Sequence, residues 1–170
     1  MKICRKHIRG QYRGELNMTN TGFTVFDETI QKTNALLKEI ELEFGWENQR
    51  HLSYAALRAI LHELRDRLTV EESADLSSQL PLLIKGIYYD GWTPSKVPKK
   101  IDEEEFIKDI RQNFPYSMDR DITELISVVI KALKKYVSEG ELEDVLSILP
   151  KKLSFVLRCM EGDGHYVSNT

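Results

Sequence analysis

The sequence predicts an all-α protein: a tandem duplication of a four-helix unit, packed as a single helical bundle. Three observations predict it. Residues 57–88 align without a gap onto residues 126–157, at a constant offset of 69. The pairs Leu64/Leu133, Asp75/Asp144, Ser78/Ser147, Leu80/Leu149 and Pro81/Pro150 are identical in that alignment. Apolar residues recur at helical spacing between turn signals, and no segment alternates with period two for long enough to make a strand. Both copies also carry one helix-start signal, Thr69 with Glu72 and Ser138 with Glu141. Repeated helical units of this kind bury their apolar faces on one another.

The elements follow in order. Phe26, Ile30, Leu37, Ile40 and Phe44, with Leu36 beside them, predict a first helix over 26–44 that Gly45 ends. Leu57, Ile60, Leu61, Leu64 and Leu68 form the apolar stripe of a second helix over 53–68. Arg58, His62 and Asp66 fall on its opposite side. Thr69 and Glu72 start a third helix, which breaks before Pro81 because proline disfavours α geometry in the residue preceding it. A short fourth helix is expected over 81–88, with Pro81 at its first position.

The second half repeats the plan. Residues 36–44 match residues 106–114 at an offset of 70, one residue more than the later offset. Asp102 and Glu105 make a capping box, and Pro115 stops that helix. Ile122, Leu125, Ile126, Val129, Leu133 and Tyr136 line the next. Ser138 and Glu141 open a third, Pro150 breaks it, and a last helix is expected to end near Cys159. The expected division is a basic, disordered segment 1–22, a first unit 23–92, a Pro/Lys linker 93–100, a second unit 101–160 and a flexible tail 161–170. At three inward-looking positions the copies differ: Leu142, Leu146 and Ile148 replace Ser73, Ser77 and Gln79. The first set either packs closely through small residues or borders a polar groove, and close packing or simple exposure is the plainer reading.

Composition sets limits on function. With 41% hydrophobic and 30% charged residues the chain has the balance of a soluble globular protein, and no apolar run approaches the ~20 residues of a membrane helix. Cys4 and Cys159 stand alone, so neither a disulfide framework nor a zinc site is expected, and a cytoplasmic setting is. The net charge of −3 divides into +4 over residues 1–17 and −7 over the rest. An acidic body argues against nucleic-acid binding as the main task. Residues 1–17 read as a solvated terminal run. Gly14-Glu15-Leu16-Asn17 can be encoded with a purine-rich ribosome-binding sequence before the Met18 codon, so Met18 is the expected native start.

The run Gly86-Ile87-Tyr88-Tyr89-Asp90-Gly91-Trp92 is the strongest candidate for a partner- or ligand-binding feature. Its rings offer apolar faces with polar handles, Asp90-Gly91 suggests a tight turn, and the second copy has no counterpart. The plainer reading is that Tyr88, Tyr89 and Trp92 close the seam between units, with Asp90 capping a turn. Arg58, His62 and Asp66, at i, i+4 and i+8, could make a general-base histidine flanked by a cation and a carboxylate. A surface charge ladder explains the same spacing. No metal, cofactor or catalytic site is expected. The four histidines form no Glu-x-x-His or His-Glu-x-x-His pattern, and neither a P-loop nor a Gly-x-Ser-x-Gly elbow occurs.

The stretches 57–95 (LRAILHELRDRLTVEESADLSSQLPLLIKGIYYDGWTPS), EEFIKDI and LSILPKKL resemble the domain of unknown function 2267 family. The resemblance covers residues 33–157 and is most specific at GIYYDGW. It implies a small bacterial helical-repeat protein and brings no activity with it. Three functions compete. The first is a non-enzymatic interaction or regulatory module that binds a protein partner or itself, marked by an exposed apolar or aromatic patch near Trp92 or along the groove between units. The second is a small-ligand binder or weak enzyme, which needs Arg58, His62 and the 88–92 loop to converge on one pocket. The third is nucleic-acid binding through the basic N-terminus, which predicts strong salt dependence.

Overall fold

The computed structural model describes residues 21–100, 102–149, 151 and 154. Among these residues the chain is all-helical, without a strand, and forms seven α-helices. They are α1 Thr24–Phe44, α2 Arg50–Arg67, α3 Val70–Gln79, α4 Leu82–Tyr89, α5 Glu103–Asn113, α6 Ile122–Leu133 and α7 Glu139–Ile148. Short 3-10 turns occupy Pro94–Lys96 and Lys134–Tyr136. No helix among the described residues is long and apolar enough to cross a membrane.

Several helix ends lie where the local chemistry puts them. Gly45 takes a φ of 66°, which glycine adopts without steric cost, and the Trp46 N–H returns to the Glu41 carbonyl at 2.9 Å. At α3 the Thr69 hydroxyl accepts from the Glu72 N–H, while the Glu72 carboxylate accepts from the Thr69 N–H at 2.8 Å. The Asp102, Asp121 and Ser138 side chains accept from backbone N–H groups at the starts of α5, α6 and α7.

Other ends depart from expectation. Helix α2 begins at Arg50, three residues before Ser53, with no side-chain cap. A tertiary contact fixes its first turn: Arg50 Nε donates to Glu41 Oε1 at 2.7 Å, and Glu41 is buried. Arg50, more than burial can oppose, holds the Glu41 carboxyl below its usual range. Helix α6 ends at Leu133, so Tyr136 belongs to the following 3-10 turn and its hydroxyl donates to the Lys32 carbonyl at 3.1 Å. The last expected helix, near Cys159, falls almost wholly outside the described residues, as does the basic N-terminal stretch.

Helix α2 is the axis of the molecule, packed against α1, α4, α5, α6 and α7. One apolar cluster runs through both halves and includes Ile40, Ile60, Ile84, Phe106, Ile110, Ile126 and Leu146. Where the halves meet is an apolar void of about 20 Å3, lined in part by Leu61 and Ile130, Leu64 and Leu133, and Leu76 and Val145. The members of each pair stand 69 residues apart. Polar links join the halves at the rim: Gln79 with the Ser138 N–H at 2.6 Å, and Lys135 with Glu39 at 2.6 Å. Phe26 was expected in the core and is instead 48% exposed. The face of α1 that turns towards α4 buries Thr29 and Thr33, and Phe26 extends that face beyond the start of α4.

Candidate functional site

Residues 86–92 form the end of α4 and the turn that follows, and the polar side of α2 holds them. His62 Nε2 lies 2.7 Å from the Ile87 carbonyl. Arg65 donates to the Tyr88 carbonyl at 2.6 Å and to the Asp90 carbonyl at 3.1 Å. Arg58 donates to the Asp90 carboxylate at 2.9 Å. Residues 58, 62 and 65 lie at i, i+4 and i+7, one stripe of a helix, and that stripe meets carbonyls left open at the C-terminal end of α4. Arg58 keeps the Asp90 carboxyl below its ordinary range, and Gly91 turns the chain with a φ of 66°.

This corrects the reading of Arg58, His62 and Asp66 as a ladder on an open polar face. His62 and Asp66 are half-buried, and their partners lie on other segments. The His62 ring is a clamp on backbone. Burial holds it below the ordinary imidazole range, opposed by the Ile87 carbonyl and assisted by the charges of Arg65 and Arg58. The neutral tautomer that fits carries its proton on Nε2.

The tyrosines explain Ser73 and Ser77, which the sequence alignment sets against Leu142 and Leu146. Ser73 and Ser77 are buried, but close packing is only part of the reason. Ser73 Oγ lies 2.9 Å from the hydroxyl of the wholly buried Tyr88, and Tyr89 donates to Ser77 Oγ at 2.8 Å. Each phenol therefore ends in a small polar niche of α3. Burial pushes the Tyr88 phenol well above its normal range, so it stays protonated. Trp92 lies tilted against Tyr89 at 5.0 Å, half-buried, with its indole N–H out of water and unpartnered among the described residues. Tyr88 and Tyr89 fasten α4 to α3, and Trp92 packs on Tyr89.

The rings at the seam between halves are others: Phe44, Trp46, Phe114 and Tyr116. Trp46 lies 4.8 Å from Phe44 and stacks on Phe114 at 5.9 Å, which lies 5.4 Å from Tyr116.

Sequence reasoning missed a charged centre on α2. Glu63 and Arg67 form an ion pair with side chains 2% and 0% exposed. The Arg67 guanidinium also lies 5.0 Å over the Phe106 ring. Lys99, from the stretch expected to be an exposed linker, reaches Glu63, Asp66 and Asp109 at 3.7, 3.3 and 3.8 Å. Its N–H donates to the Asp66 carbonyl at 2.7 Å. The linker is thus tied to α2 and α5. The available signal was the breadth of burial on α2: small and apolar residues at 55–57 and 59–61 mark a helix packed on more than one side. Charges inside such a helix must be paired.

A family profile described as uncharacterized conserved protein (DUF2267) matches residues 33–154, most of the chain. The chain belongs to this family. No curated protein gives a match. The matched residues of DUF2267 take in α2, the 86–92 turn and the charged centre. The family description names no activity, so function has to be argued from geometry. No group of three or more metal-binding side chains converges among the described residues.

Proposed function

We propose that this DUF2267 protein is a non-enzymatic, cytoplasmic protein-interaction module. One observation carries the reading. Phe23, Val25, Phe26, Leu82 and Leu83 are each between 45% and 55% exposed, and they belong to the starts of α1 and α4. The Leu83 N–H donates to Thr29 Oγ1 at 2.9 Å, which sets the start of α4 against the second turn of α1, and the Phe23 and Phe26 rings lie 5.0 Å apart. Large apolar side chains left exposed on adjoining helix ends are the mark of a partner site. It lies at the starts of α1 and α4, whereas the sequence pointed to Trp92 or to the groove between units.

The small-ligand alternative needs Arg58, His62 and the 88–92 loop to face an open pocket. Their polar groups converge on backbone and on one another, which speaks for a supporting role. We also take the two halves as copies of one unit. Support comes from the repeat in the sequence, the paired residues around the seam void, and the matching starts of α3 and α7 at Thr69 and Ser138.

The test is affinity capture from the native host with wild type and with Phe26→Asp/Leu82→Asp. A protein retained at stoichiometric level by wild type and lost by a variant of unchanged melting temperature supports the reading. Identical captured sets overturn it.

A further inference from the structure

The outer face of α4 carries a glycine that the fold itself does not use. Gly86 sits inside Leu82–Tyr89, is exposed, and a Cβ placed on it would meet nothing within 4 Å among the described residues. Glycine inside a helix costs about 1 kcal/mol relative to alanine. Here neither a positive φ nor a neighbouring segment among the described residues requires it. Leu82 and Leu83, four and three residues earlier, lie on the same side and are exposed. Lys85, next to Gly86, makes no ion pair among the described residues.

We propose that this face of α4, with Phe26 of α1 beside it, seats an apolar-faced α-helix of a partner protein that crosses α4 at Gly86 and offers a carboxylate to Lys85. The inference rests on the interaction reading above and names its partner. A bare backbone lets a crossing helix approach closely, which is the use that an otherwise costly glycine has at helix–helix contacts. Leu82, Leu83 and Phe26 then receive the apolar anchors of the incoming helix. The five half-exposed side chains amount to roughly 400 Å2, about half of the ~800 Å2 that each partner contributes to a stable globular interface. That area suits one helix better than a second copy of the whole protein. The unpaired Lys85 ammonium sets the sign of the charge at its rim.

The test uses a fluorescein-labelled helical peptide of about 15 residues, with leucine on one face, alanine at the crossing point and glutamate elsewhere. A second peptide carries lysine in place of glutamate. Anisotropy with the full-length protein should saturate for the acidic peptide. It should weaken about tenfold or more for the lysine peptide, for Gly86→Leu and for Leu82→Asp, while Gly86→Leu melts no lower than wild type. No saturation by about 1 mM, or equal binding by Gly86→Leu, overturns the inference. If capture in the host still depends on Phe26 and Leu82 while Gly86→Leu is silent, the helix crossing falls and the interaction reading stands. If capture ignores Phe26 and Leu82 as well, both fall. A reversible dimer in sedimentation that Gly86→Leu abolishes gives the face to a second copy and also overturns the partner helix.

Discussion

Ser73→Ala is a small change with a large expected cost. Ser73 and Tyr88 are both 0% exposed, and their hydroxyls lie 2.9 Å apart. Removing the serine oxygen leaves the Tyr88 hydroxyl buried without that partner, and an unsatisfied buried group of this kind costs about 1–3 kcal/mol. Tyr88→Phe leaves the Ser73 hydroxyl behind. That group can turn to a carbonyl of its own helix, so the expected cost is nearer 1 kcal/mol. The double variant Ser73→Ala/Tyr88→Phe removes both polar groups. It should cost less than the sum of the single changes, with a coupling of about 1 kcal/mol or more. Urea denaturation with a constant slope reads all three values. A Ser73→Ala variant as stable as wild type, or strictly additive costs, would refute the hydrogen-bonded niche and return Ser73 to simple close packing.

Other outcomes follow from burial, titration and backbone geometry. Leu64→Ala and Leu133→Ala, at paired core positions, should each cost about 2–5 kcal/mol in the same assay. Burial and nearby arginines hold the folded His62 ring below the ordinary imidazole value, so the unfolded chain takes up that proton first. The stability it contributes is whole above pH ~6.5 and is lost as pH falls through the lowered folded value. His62→Gln should therefore flatten the fall in melting temperature between about pH 7.5 and 5, and an unchanged pH profile would contradict the buried clamp. Gly45→Ala should destabilise by about 1 kcal/mol because φ there is 66°, whereas Gly86→Ala should stabilise by a similar amount. Equal signs in thermal melts would show that one of the two environments is wrong.

The sequence announced an element wherever the signal is local. Thr69 with Glu72, Asp102 and Ser138 mark helix starts through bonds that span three residues, and Pro81 and Gly45 mark ends in the same way. It was silent where a distant group decides. Arg50 opens α2 because Glu41, nine residues away, receives its guanidinium. A helical wheel places Arg58 and His62 opposite the leucines, but it cannot show that the end of α4 lies against that side. Glu63 and Arg67 look solvated in one dimension because their mutual pairing and the Phe106 ring are tertiary facts. Phe26 fits the apolar period of α1 and is exposed, because the period does not show which turns of α1 a later helix will meet. The tyrosine niches were half legible: the serines stood out against the aligned leucines at 142 and 146, but their hydroxyl partners did not.

On the reading proposed above, a partner meets the exposed ends of α1 and α4, while the 88–92 turn serves the fold. Photo-crosslinking in the native host separates the two surfaces, with a benzophenone side chain placed in turn at Phe26, Leu82 and Asp90. One discrete protein adduct is expected from positions 26 and 82 and none from position 90. An adduct confined to position 90, or silence at both 26 and 82, would contradict it.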